Sequence, residues 1–63
     1  MKNLREIRKQ KGMTQAALSA FTGVNRVSIA KYETGKTEPS LKTAEKLASA
    51  LGVTVDELIG KAG

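Results

Sequence analysis

Residues 14–36 read TQAALSAFTGVNRVSIAKYETGK, from Thr14 to Lys36, two helical segments joined by a short connection. Thr14 is an N-cap residue, and Ala17, Leu18 and Phe21 behind it recur at helical spacing. Asn25 is a second cap, opening a segment that runs to about Thr34 with Ile29, Tyr32 and Glu33 on its inner face. Between the two segments lies only Thr22-Gly23-Val24-Asn25. So short a connection favours two helices crossing at a steep angle, with Val24 dropping into the core and small Ser19 where the helices pass closest.

Outward from this corner the pattern stays helical. Gly12, Gly23, Gly35, Gly52 and Gly60 each fall where a helix would end. A first segment, about 3–11, places Leu4, Ile7, Arg8 and Lys11 on one face. A fourth begins at Pro39 and Ser40, with Leu41, Ala44, Leu47, Ala48 and Leu51 as its apolar stripe. A short fifth opens on Thr54-Val55-Asp56-Glu57, the form of a capping box, with Leu58 and Ile59 turned to the core. Sustained alternation and hairpin dipeptides are missing. The sequence therefore predicts an all-α fold of five short helices in a compact bundle. It is a single domain over 1–63, ordered over about 3–60, with Lys61 to Gly63 as a loose tail.

Composition narrows the function. The 63 residues include neither cysteine nor histidine, which removes disulfides, thiolate metal sites, the usual zinc chemistry and histidine-based catalysis. No metal or other cofactor is expected. The six carboxylates form no obviously poised pair in a chain too small to enclose a sizeable pocket, so an enzyme is not expected. The apolar runs are too short to span a membrane, and the basic N-terminus lacks the apolar stretch of a signal peptide. A cytoplasmic setting is the expectation.

Net charge is +5 and unevenly placed. Residues 1–36 carry eight basic and two acidic residues, a net of +6, and residues 37–63 carry three and four, a net of −1. A one-sided basic field points to a polyanionic partner, nucleic acid or an anionic membrane; a solvated, solubilising surface is the plainer reading.

The third segment separates these. With Ile29, Tyr32 and Glu33 inside, its outer face presents Arg26, Val27, Ala30, Lys31 and Thr34, none of them acidic. Long cations can donate to guanine O6 and N7 in a major groove, and a small apolar side chain can meet the thymine methyl. Gln15, in the first turn of the second segment, lies where free backbone N–H groups attract phosphate, and Lys36 is placed for a second phosphate contact. An ordinary helical corner, with Gln15 a plain surface residue, is the bland alternative.

These residues resemble the phage repressor and Cro type of helix-turn-helix regulator. The similarity runs over about residues 3 to 60 and is carried by Leu4 to Arg8, Gly12-Met13-Thr14-Gln15, Leu18, Gly23-Val24, Ser28-Ile29, Tyr32-Glu33-Thr34-Gly35-Lys36, Pro39-Ser40-Leu41, and Leu47-Ala48 through Leu51-Gly52-Val53. The resemblance implies a bundle of about five short helices. It also implies base contacts from Arg26, Val27 and Lys31, with Asn25 and Ser28 at the start of the reading helix. Phosphate contacts would come from Thr14, Gln15, Thr34 and Lys36. Ser19 departs from the alanine usual in the family. The base-facing positions vary within the family, so no target sequence carries over.

Arg8 and Glu33 are charges on inward faces, which is costly unless they are paired. Each is the other's simplest partner, giving a partly buried salt bridge between the first and third helices. Both side chains reaching out to solvent is the alternative. The functional expectation is a homodimeric repressor bound to a two-fold double-stranded DNA operator, self-associating near Val53, Val55 and the last helix. The alternative is a protein-binding module of antitoxin or anti-repressor type.

Overall fold

The computed structural model describes residues 1–60, so the reading of Lys61 to Gly63 as a tail lies outside the described residues. Five helices follow one another: α1 (Leu4–Gln10), α2 (Gln15–Thr22), α3 (Arg26–Thr34), α4 (Leu41–Leu51) and α5 (Val55–Ile59). No strand occurs among the described residues. The fold is all-α.

Four of the five helix starts, all but that of α1, have a side-chain cap. The side chains of Thr14, Asn25, Ser40 and Thr54 accept hydrogen bonds from the backbone N–H of Ala17, Val27, Thr43 and Glu57, satisfying donors that the first turn leaves open. At α5 the Glu57 carboxylate also accepts from the Thr54 N–H at 3.1 Å, completing the capping box.

The core takes one fully buried side chain from every helix: Leu4, Leu18, Ile29, Leu47 and Leu58. Met1, Ala44, Ala48 and Leu51 complete it, and half-buried Ile7, Met13, Val24, Tyr32, Val53 and Val55 pack around it. Burying each Leu or Ile is worth roughly 1.5–3 kcal/mol, so all five helices are tied to one centre. The Met1 amino group adds a tether, donating to the Tyr32 carbonyl at 2.7 Å and pairing with Glu38 at 3.1 Å. Helix α2 packs on both α3 and α4, while α1 packs on α3 and α5.

Four apolar residues expected on inner faces lie outside. Ala17 is exposed and Phe21 is 71% exposed. The inward side of α2 runs instead through buried Leu18, flanked at helical spacing by half-buried Gln15, Ser19 and Thr22. Leu41 is 68% exposed because it is the first residue of α4, one turn ahead of the stripe from Ala44 to Leu51 that meets the core. Ile59 is 38% exposed because it stands about 100° around the helix from Leu58, and a five-residue helix turns a single position fully inward.

Candidate nucleic-acid interface

The surface in question is built on the α2–α3 corner. Gly23 adopts φ 77°, a left-handed conformation that is strained for any residue with a Cβ, although nothing lies within 4 Å of where that Cβ would stand. Backbone geometry, not space, requires glycine here. Its N–H donates to the Ser19 carbonyl at 2.8 Å, and the Val24 N–H donates to the Thr22 hydroxyl at 3.2 Å. These bonds turn the chain sharply, and Val24 packs against the core as the sequence anticipates. Helix α3 therefore starts at a fixed angle to α2.

On α3, Arg26, Val27 and Lys31 are exposed, Val27 by 62%, and Ala30 is half-buried between them. Ile29 is buried opposite. Asn25 is exposed, but its Oδ1 is committed to the cap at 2.8 Å from the Val27 nitrogen, which leaves its amide N–H groups to face outward chemistry. Ser28 is half-buried. At the far end, the Thr34 hydroxyl donates to the Lys31 carbonyl at 3.2 Å, and exposed Lys36 follows Gly35 directly. Thr14, Gln15 and Arg26 line one shallow groove where the start of α2 faces the start of α3.

Behind this face the structure brings Arg8 and Glu33 together. The Arg8 Nε donates to Glu33 Oε2 at 2.6 Å and Nη2 donates to Oε1 at 3.2 Å. Their side chains are 8% and 3% exposed. The third guanidinium nitrogen, Nη1, donates to the Met13 carbonyl at 2.7 Å. Burial pushes the Glu33 carboxyl up, but hydrogen bonds from Arg8 and Gln15, with the positive charges of Arg8 and Arg5, outweigh it and hold the pKa below its ordinary value.

Gln15 is the partner that the sequence reading missed. Its Nε2 donates to Glu33 Oε1 at 2.9 Å. The signal was available in chemical form: a buried carboxylate has about four lone-pair sites and an arginine fork fills only some, so a further donor was required. Half-buried Gln15, on the helix packed against α3, supplies it. One of its amide hydrogens remains for an outside acceptor.

Among the described residues no cluster of His, Asp or Glu could hold a metal ion, and no helix is long and apolar enough to cross a membrane.

Comparison with known proteins places this architecture. The sequence model of the helix-turn-helix family matches residues 4–58. The chain is 45% identical over 56 residues to the SPbeta prophage-derived HTH-type transcriptional regulator YonR of Bacillus subtilis, covering 89% of this chain and 52% of that protein. It is 37% identical over 54 residues to the cryptic phage CTXphi transcriptional repressor RstR of Vibrio cholerae, covering 86% and 48%. With the immunity repressor protein of Bacillus phage phi105 it shares 34% identity over 58 residues, covering 92% and 40%. The chain thus spans about half the length of these relatives. A crystal structure of a transcriptional regulator from Listeria innocua superposes with a TM-score of 0.79 at 26% identity, over 97% of this chain and 57% of that one.

Proposed function

The chain belongs to the helix-turn-helix family, and on that premise we propose that it is a sequence-specific double-stranded DNA-binding unit of a transcriptional repressor, reading the major groove with α3. The family is a class of DNA-binding regulators and not of enzymes. The observation that carries the reading is the outer face of α3: Arg26, Val27 and Lys31 stand exposed with no acid among them, while the helix's only carboxylate, Glu33, is turned inward and neutralised by Arg8. Arg26 and Lys31 donate to base edges, Val27 meets a thymine methyl, and Asn25 and Ser28 stand at the entry of the helix. Thr14 and Gln15, at the start of α2, together with Thr34 and Lys36, fix the register through phosphates.

A lone domain of this kind buries only about 600–1,000 Å² against DNA, so a homodimer on a two-fold operator, with half-sites about 34 Å apart, is the natural route to useful specificity. Val53, Val55 and α5 supply the self-association surface in this reading, on the cytoplasmic regulator as a whole. Repression follows from blocking polymerase.

A second reading, a protein-binding module of antitoxin or anti-repressor type, draws on Phe21 and Leu41, both large apolar side chains left in solvent. Titrating the chain against promoter-derived duplex DNA over a salt series separates the two. DNA binding predicts affinity that falls steeply with salt as counterions are released; a flat response, or no mobility shift, favours the protein partner.

A further inference from the structure

Beyond the α2–α3 corner, α1 carries cations for which the reading above has no use. Arg5 and Lys9 lie one turn apart on the outer face of α1, and both are exposed. Lys9 lines the groove that also holds Thr14, Gln15 and Arg26. It equally lines a neighbouring groove with Lys2, Arg5, Glu6 and Glu33. The two grooves share Lys9, and beneath them the Gln15–Glu33 hydrogen bond joins one to the other. A row of cations therefore runs from Arg26 through Lys9 to Arg5 without leaving one surface. Glu33 does not cancel it, because its carboxylate is already engaged by the Arg8 guanidinium. Glu6 is the opposing charge, one against three.

We infer that Arg5 and Lys9 form a phosphate-binding track on α1 that continues the path of Gln15 along the DNA backbone. Duplex DNA carries one negative charge per roughly 1.7 Å of axis, so a surface laid along it meets phosphates continuously. Arg5 and Lys9 are about 6 Å apart along the helix axis, far enough to meet separate phosphates and not compete for one. Both long side chains can reach out from the helix while the base-reading geometry of α3 stays unchanged. The track adds affinity for any duplex and no base preference.

This inference rests on the DNA reading, and the test is arranged so that the two can fail separately. Binding of a short duplex of arbitrary sequence is followed by fluorescence anisotropy between about 50 and 200 mM salt for three forms: the unaltered chain, R5Q/K9Q, and K42Q/K46Q as a control. The control removes the same charge from exposed positions on α4, outside both grooves. Each phosphate contact contributes about 0.9 to the slope of log affinity against log salt, so R5Q/K9Q is expected to flatten it by about two units and K9Q alone by about one. K42Q/K46Q is expected to keep the original slope. Since all four side chains are exposed, matched melting curves accompany the binding data. An unchanged slope in R5Q/K9Q, or an equal flattening in both pairs, overturns the track and leaves the DNA reading standing. Failure of the unaltered chain to bind any duplex overturns both.

Discussion

Glu33 is held by Arg8 from α1 and by Gln15 from α2, the Arg8 Nε donating at 2.6 Å and the Gln15 Nε2 at 2.9 Å. Through its third nitrogen Arg8 also secures the Met13 carbonyl in the turn between those helices. One carboxylate on α3 is thus the meeting point of α1, the α1–α2 turn and the start of α2. The pair touches no base in the proposed complex; it braces the helix that does.

Glu33→Ala leaves the Arg8 guanidinium buried without its counter-charge. Breaking a buried pair in this way costs about 3–5 kcal/mol, a large share of the roughly 5–15 kcal/mol that holds a native domain together. Lys31→Ala, two residues away but in solvent, should stay within about 0.5 kcal/mol of the original. Thermal denaturation compares them: a shift of about 4–8 °C per kcal/mol puts the Glu33 variant far below the Lys31 variant. Equal melting temperatures would remove the brace from the account.

The same pair makes stability depend on acid. The folded-state pKa of Glu33 lies below its ordinary value of 4.5, so its contribution is complete above that value. It is lost as pH falls through the lower folded-state value. Melting temperatures of the unaltered chain and of Glu33→Gln, measured from neutral pH down to acid, should differ by a constant amount until about 4.5 and converge below it. A gap that persists unchanged into strong acid contradicts the assignment.

Gln15→Ala tests whether one side chain serves both the fold and the ligand. Loss of its bond to a charged, buried partner should cost about 1.5–3 kcal/mol of stability. Loss of the phosphate contact should weaken all duplexes alike. Calorimetry and anisotropy on the same variant check the two effects, and a variant weakened on only some sequences would make Gln15 a base reader.

How far the sequence carries this reading differs by element. The caps at Thr14, Asn25 and Thr54, the helix start at Ser40 and the break at Gly23 depend on near neighbours in the chain, and they were legible. So was the meeting of Arg8 and Glu33, because a charge on an apolar stripe demands a partner. The exposure of Ala17, Phe21, Leu41 and Ile59 was not legible: periodicity fixes neither which angular sector of a short helix meets its neighbours nor how far along the helix they reach. The Gln15–Glu33 bond was hidden for a related reason, since it depends on how two helices cross.

Arg26 and Lys36 should divide base reading from backbone anchoring. Arg26→Ala is expected to cost about 1–3 kcal/mol and relax preference at one base pair. Lys36→Ala should weaken all sequences alike and flatten the salt slope by about one unit. Competition binding with single-base-pair variants of a bound site distinguishes them, and retained selectivity in Arg26→Ala would place the reading face elsewhere.

Sequence reading by α3, from the Arg26–Val27–Lys31 face, is put to the test by selecting bound duplexes from a random DNA pool with the unaltered chain. One enriched motif is expected, repeated as two-fold related half-sites about 10–10.5 base pairs apart between centres. A pool that stays random through the selection, while the chain still binds DNA, would contradict it.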